Sequence, residues 1–325
     1  MNKRIVSMVA LVGMLSAVAT PPVFSASETP NDGSTMKSMV PLLKDKPPLA
    51  NWTAANGSPR AVLLCLHELG MHSGLFDNLG TRMAAQNYTV YALDLRGFGG
   101  WKNVKGPEGR MSLERTLDDI KESVEALHSK YPGLPVFILG EAMGGALALQ
   151  AASKFPDLIQ GTISSAPGGD HYHGRHNYMR VCSHLLSSGP NKQFDMGKEL
   201  ISMATPRAAV REAIEKDPEV RLDLAPRELM ACQFFMYKSK DMARRITSSP
   251  VLIVQGQKDG ESVPDGANKV YEHLATNDKQ MLALAEGDHY VYEDPKVSDV
   301  AFNGTLGWIE AHLSKDTAPK AKTGN

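Results

Sequence analysis

The residues that could do chemistry converge on one point, and the atom expected there is missing. Gly140-Glu141-Ala142-Met143-Gly144-Gly145 has the spacing of a Gly-x-Ser-x-Gly nucleophile elbow but places alanine where the serine belongs. At such a turn the central residue sits in strained backbone, and small neighbours let the incoming strand and outgoing helix pack closely, which Gly140 and Gly144 satisfy. Ala142 keeps a Cβ but offers no Oγ, so the turn can form while an acyl-enzyme cannot. The segment lacks the Lys-Ser/Thr of a P-loop and the spaced glycines of a dinucleotide fingerprint.

The partners of a triad follow in the order nucleophile, acid, histidine. Asp259 comes just after the apolar strand over 251–255, and His289 just after the strand over 280–284, each on a loop past a strand's carboxyl end. A histidine near neutral pKa can take a nucleophile's proton, and a carboxylate can fix its tautomer and stabilise the imidazolium. Asp288 is a weaker alternative to Asp259. The loop His67-Glu68-Leu69-Gly70-Met71-His72 stands where an oxyanion hole draws backbone donors, so the amides of Leu69 and Met143 are the expected pair. His67 and His72 lack the helical Glu partner of a zincin motif and read as loop-stabilising residues. His171, His173 and His176 lack a set spacing to carboxylate or cysteine ligands, so no metal or other cofactor is expected.

These positions need a scaffold of alternating strands and helices. Apolar runs place strands at 62–66, 89–94, 136–139, 161–164, 251–255 and 280–284, with helices at 75–87, 113–130, 146–155, 266–275 and 297–313. The expected fold is α/β: a mostly parallel sheet with helices on both faces. Between 166 and 249 no strand-like run occurs, and Met-, Leu- and Ala-containing helical segments suggest a helical cap inserted after the sixth strand, over the carboxyl ends of the sheet. Met179, Leu185, Leu186, Leu229, Met230, Phe234, Phe235 and Met236 could line an apolar slot there or simply bind the cap to the body. The core is expected over 61–165 and 250–313, preceded by a linker and the start of the core over 27–60 and followed by a disordered tail over 314–325.

Lys3 and Arg4 precede the apolar run 5–19, and Ala17-Val18-Ala19, or Ser25 and Ala26, offer a cleavage site. Residues 1–26 therefore read as a signal peptide, and the chain as exported, periplasmic or secreted. The run is short for a membrane span, so no stable span is expected in the mature chain. The 35 basic and 36 acidic residues leave a net charge of −1, which gives no footprint for nucleic acid and favours a small-molecule partner. Of three cysteines, Cys65 lies inside an apolar run as a buried free thiol would, while pairing of Cys182 with Cys232 stays open.

Over about 61–313 the chain resembles the monoacylglycerol lipase and lysophospholipase branch of the serine α/β-hydrolases. The resemblance rests on His67-Glu68-Leu69-Gly70 for the family's His-Gly-x-Gly loop, Asp94-Leu95-Arg96-Gly97-Phe98-Gly99 for its Asp-x-Arg-Gly-x-Gly segment, the elbow at 140–145, Gly256-Gln257-Lys258-Asp259, and Asp288-His289. It implies an α/β-hydrolase fold and cofactor-free hydrolysis of an acyl ester under a helical cap. Two departures stand out: Glu68 replaces a loop glycine and Ala142 replaces the nucleophile. Loss of a triad serine costs on the order of 10⁶ in turnover. Glu141 is expected to point away from the cleft by strand alternation, and Ser164 and Ser165 lie on another strand, so none substitutes. Three readings remain: an ester hydrolase whose serine has been replaced, a pseudohydrolase that binds a lipid-like or ester ligand without turnover, and a route in which His289 directs water at a labile substrate.

Overall fold

Side-chain alternation along the central strands builds two apolar layers. In a computed structural model describing residues 37–171 and 174–313, β5 (Val136–Glu141) sends Phe137 and Leu139 to one core and Val136 and Ile138 to the other, and β3 (Val62–Leu66) divides its residues likewise. Strands buried on both faces read as continuous apolar runs, which made them visible in the sequence. The expected signal peptide over 1–26, the part of the expected linker up to residue 36, His173 and the expected tail over 314–325 lie outside the described residues.

The remaining sheet strands are β1 (Ser38–Val40), β2 (Leu49–Trp52), β4 (Thr89–Leu93), β6 (Gly161–Ser165), β9 (Val251–Gly256) and β10 (Lys279–Leu284). Their order is β1-β2-β4-β3-β5-β6-β9-β10; β1 and β2 pair antiparallel and the strands from β4 onward run parallel. The sheet thus begins inside 27–60, whose short strands carry little periodicity, although all four residues of β2 are buried. Helices α1 (Asp77–Ala85) and α10 (Asp299–Leu313) cover one face through Leu79, Met83, Phe302 and Ile309. The other face takes α2 (Leu113–Lys130) and α3 (Met143–Lys154). In α2, Ser112 caps the N-terminus, and Leu117, Ile120, Val124 and Leu127 recur at spacings of three and four to form the buried stripe. A further helix, α9 (Pro264–His273), connects β9 to β10.

After β6 the chain leaves the sheet and returns at β9, so the insertion follows the sixth strand. It holds α4 (Gly174–Ser188), α5 (Gly197–Ala204), α6 (Ala208–Lys216), α7 (Pro226–Tyr237) and α8 (Ser239–Ala243). It also holds a ribbon that the sequence did not announce, β7 (Phe194–Asp195) against β8 (Asp223–Leu224). Two residues per strand are too few to display an alternation. All three cysteines are free, with Cys65 and Cys232 buried. Among the described residues no helix is long and apolar enough to cross a membrane.

Candidate active site

The turn from β5 into α3 is held open by missing side chains. A Cβ on Gly140 would stand 2.1 Å from Gly144 O, and one on Gly144 would stand 2.1 Å from Leu66 O, distances that only glycine permits. Between them Ala142 adopts φ 47°, ψ −109°, a left-handed conformation costing a non-glycine residue on the order of 1–3 kcal/mol. Its amide donates to Ser165 O at 2.9 Å and its carbonyl accepts from Ala146 at 3.0 Å, which holds the turn from both sides. The elbow keeps its strained geometry with a methyl group at its tip.

Asp259 and His289, thirty positions apart, meet beyond the ends of β9 and β10. His289 Nδ1 lies 2.7 Å from Asp259 Oδ2, which also accepts from Gln255 Nε2 at 3.1 Å. Asp259 Oδ1 accepts the amides of Glu261 and Ser262 at 2.9 and 2.8 Å. Burial works against the Asp259 carboxylate, but the His289 charge and these hydrogen bonds outweigh it and hold its pKa low. Burial likewise opposes the imidazolium, yet Asp259, Glu68 and Glu261 together raise the His289 pKa well above its ordinary value. Asp288, the alternative acid, turns away: it accepts from Arg207 Nε at 2.9 Å and pairs with the same guanidinium at 2.8 Å.

Around this pair stand acids the sequence reading did not assign. Glu141 points away from the cleft, as alternation requires, and braces the segment after His289: Oε1 accepts from Val291 N at 2.7 Å, and Oε2 from Tyr292 N at 3.1 Å and Glu293 N at 2.8 Å. Burial nevertheless lifts its carboxyl to about 7 against those amides. Glu293 Oε1 accepts the Glu68 amide at 2.7 Å and so ties the loop after β3 to the same network. Glu68 Oε2 lies 3.4 Å and Glu261 Oε2 4.0 Å from His289 Nε2. Burial, with the Glu68 and Asp259 charges, raises the Glu261 carboxyl to about 8 against the pull of His289. The available signals were slight: a glutamate where the loop resemblance expects glycine, and an acid two residues past Asp259.

The other histidines divide by surroundings. His67 accepts the Leu95 amide on Nε2 at 2.9 Å, which leaves its Nδ1 to donate to Glu68 O at 2.7 Å; burial lowers its pKa to about 4, so it is a neutral loop staple. His72 caps the turn at Ser73–Phe76 and reaches Asp217 at 3.0 Å. Asp94 accepts the amides of Ser73 and Gly100, both at 2.8 Å, so the Asp-x-Arg-Gly-x-Gly segment is structural. His176 is exposed, whereas His171 lines the cavity and is lowered to about 4 chiefly by burial.

That cavity holds about 390 Å³, within the usual range for small-molecule sites. Ala142, Leu69, Met143, Glu68 and Glu261 line its floor, so both expected oxyanion residues border the space beside residue 142. Of the apolar cap residues considered, Leu229, Met230, Phe234 and Met236 line it. Met179 and Leu186 do not; they are 62% and 88% exposed on α4. Leu185 is half-buried outside the lining, and Phe235 packs against the body on the other side of α7. Helical content alone did not reveal which face of α4 and α7 turned inward.

With this geometry in hand, three comparisons are informative. The family Hydrolase_4, described as serine aminopeptidase, S33, matches residues 57–296. The monoacylglycerol lipase of Mycolicibacterium smegmatis is 24% identical over 268 residues, covering 81% of this chain and 92% of that one, and the human monoglyceride lipase is 22% identical over 78% and 83%. A soluble variant of the Saccharomyces cerevisiae monoglyceride lipase, solved with a substrate analog, superposes with a TM-score of 0.70 at 21% identity, over 88% of this chain and 99% of that one.

Proposed function

The chain belongs to the Hydrolase_4 family, serine aminopeptidase S33, with an α/β-hydrolase fold of the monoacylglycerol-lipase-like branch; from that premise we propose that it is a carboxylic-ester hydrolase by descent whose acyl-enzyme route is closed at Ala142. Its cavity holds an acyl ester or lipid-like ligand without turning it over. The observation that carries this reading is the 2.7 Å contact of His289 with Asp259, together with an elbow whose residue 142 keeps the strained nucleophile conformation and ends in a methyl group on the cavity. In this reading His289 is the base left without a hydroxyl to deprotonate, Asp259 its orienting acid, and the Leu69 and Met143 amides the oxyanion donors.

An apolar cap over a polar floor suits a ligand with an acyl chain and an oxygen-rich head, the shape of the monoglycerides named for the relatives. Neither nucleic acid nor a membrane span enters the reading, and the basic-then-apolar start of the chain supports export. The test incubates the protein with a monoacylglycerol and with its non-hydrolysable ether, following binding by calorimetry and fatty-acid release by mass spectrometry. Both should bind, and release from the ester should match the protein-free blank. Release above the blank, or binding of neither compound, would overturn the proposal.

A further inference from the structure

Three of the buried polar atoms with no hydrogen-bond partner among the described residues cluster together, His289 Nε2, Glu68 Oε2 and Glu261 Oε2, and the two glutamates line the cavity. They lie within 4.8 Å of one another, in residues only 1%, 6% and 6% exposed. Buried carboxylates and imidazoles are paired or bound to something as a rule, because leaving them bare costs their desolvation. Ala142, which lines the same cavity as Glu68 and Glu261, offers no hydroxyl to any of them. We propose that His289, Glu68 and Glu261 form a binding site for a divalent first-row transition ion, with zinc as the best match.

Tetrahedral zinc with nitrogen and oxygen bonds of about 2.0–2.2 Å keeps its ligand atoms roughly 3.3–3.6 Å apart. His289 Nε2 already stands 3.4 Å from Glu68 Oε2 and 4.0 Å from Glu261 Oε2, so small rotations about the glutamate side chains complete the set. The charges balance: on binding, the ion displaces protons from the cluster, and the two carboxylates then neutralise its double charge. The surrounding contacts also fit. Metal-binding histidines hand their other ring nitrogen to a carboxylate, as His289 Nδ1 does to Asp259 at 2.7 Å. The Glu68 backbone is tied to Glu293 at 2.7 Å and that of Glu261 to Asp259 at 2.9 Å, so each ligand is held by another acid of the cluster. One nitrogen and two oxygens suit zinc better than a hard ion such as magnesium. Glu68 and Glu261 both line the cavity, so the remaining coordination position opens toward it and accepts water or a ligand's carbonyl or carboxylate oxygen.

This inference goes beyond the acyl-ligand reading and does not depend on it, so its test contains no lipid. The full chain, without a histidine tag, is stripped with a chelator, dialysed against zinc or manganese, freed of loose ions and analysed by elemental mass spectrometry. The parent should retain about one zinc per chain and melt at a higher temperature with zinc than without. Glu68→Gln with Glu261→Gln should abolish both effects, while the exposed control Glu108→Gln keeps them. Less than about a tenth of an equivalent in the folded parent, a reading that needs no variant, would overturn the site. So would retention by the double variant equal to the parent's.

Discussion

Restoring the missing hydroxyl with Ala142→Ser should create an esterase, and the structure sets how large the gain can be. Residue 142 already has the strained backbone of an elbow, so serine inherits φ 47°, ψ −109° without further cost and places its Oγ on the cavity floor. The ceiling is the factor a triad loses with its serine, on the order of 10⁶ in turnover. His289 sets the shortfall below that ceiling. Asp259, Glu68 and Glu261 hold its pKa well above the usual value, and an imidazolium cannot accept the serine proton. Below that pKa the rate should therefore climb about tenfold per pH unit. Adding Glu68→Gln removes one neighbouring charge and should move the rise to lower pH. The assay follows p-nitrophenol release from short- and long-chain esters, with chelator present and the parent protein as the blank at each pH. A folded, ligand-binding Ala142→Ser variant that stays at the parent's rate across the whole pH range would refute the reasoning.

Further consequences can be checked separately. In the Ala142→Ser background, Asp259→Asn should lower turnover by on the order of 10⁴ through loss of the histidine tautomer, whereas Asp288→Asn, which loosens only the Arg207 pairing, should act on thermal stability and leave most of the turnover. Gly144→Ala drives a Cβ to 2.1 Å from Leu66 O, a backbone atom that cannot rotate aside, and should cost about 1–3 kcal/mol or more in urea unfolding. In chelator, stability should fall as pH rises from about 6.5 to 8, above the range in which His67 and His171, lowered to about 4, act in the opposite sense. Glu141 and Glu261, raised to about 7 and about 8, hold protons in the folded state that the unfolded chain has already released. His289, whose pKa is also raised, adds to the loss above the ordinary histidine pKa, where the unfolded chain has given up a proton that the folded imidazole still holds. For Glu141 alone the span from 4.5 to about 7 corresponds to on the order of 3 kcal/mol. Denaturation midpoints that rise over that range would contradict the burial of these acids.

The features legible in the sequence were those encoded locally. Glycines two apart around residue 142, apolar runs through doubly buried strands, and an acid and a histidine just past two strand ends gave the elbow, the parallel sheet and the Asp259–His289 pairing. Side-chain alternation also gave the direction of Glu141, though not its grip on residues 291–293. What escaped was assembled by the fold from distant parts: Glu68 and Glu293 are 225 positions apart yet share a hydrogen bond. The union of Glu68, Glu261 and His289 depends on three loops, each past the carboxyl end of a different strand, β3, β9 and β10. His67 and His72, read from the sequence as loop-stabilising rather than as metal ligands, do staple their loops, and His176 is exposed. Strands β1 and β2 lay in a segment rich in turn formers; β2 is buried by docking on β4 rather than marked by its own periodicity, and the largely exposed β1 pairs with β2.

The central claim is that residue 142 stands where a nucleophile would be served by His289 and Asp259. Intact-protein and peptide mass spectrometry after exposure to a fluorophosphonate reads this directly, because the reagent bonds covalently to an activated serine. Ala142→Ser should carry one adduct, located on residue 142 and lost when His289→Ala is added, while the parent stays unmodified. A folded Ala142→Ser protein that takes no adduct, or a parent labelled at another residue of the cavity, would contradict it.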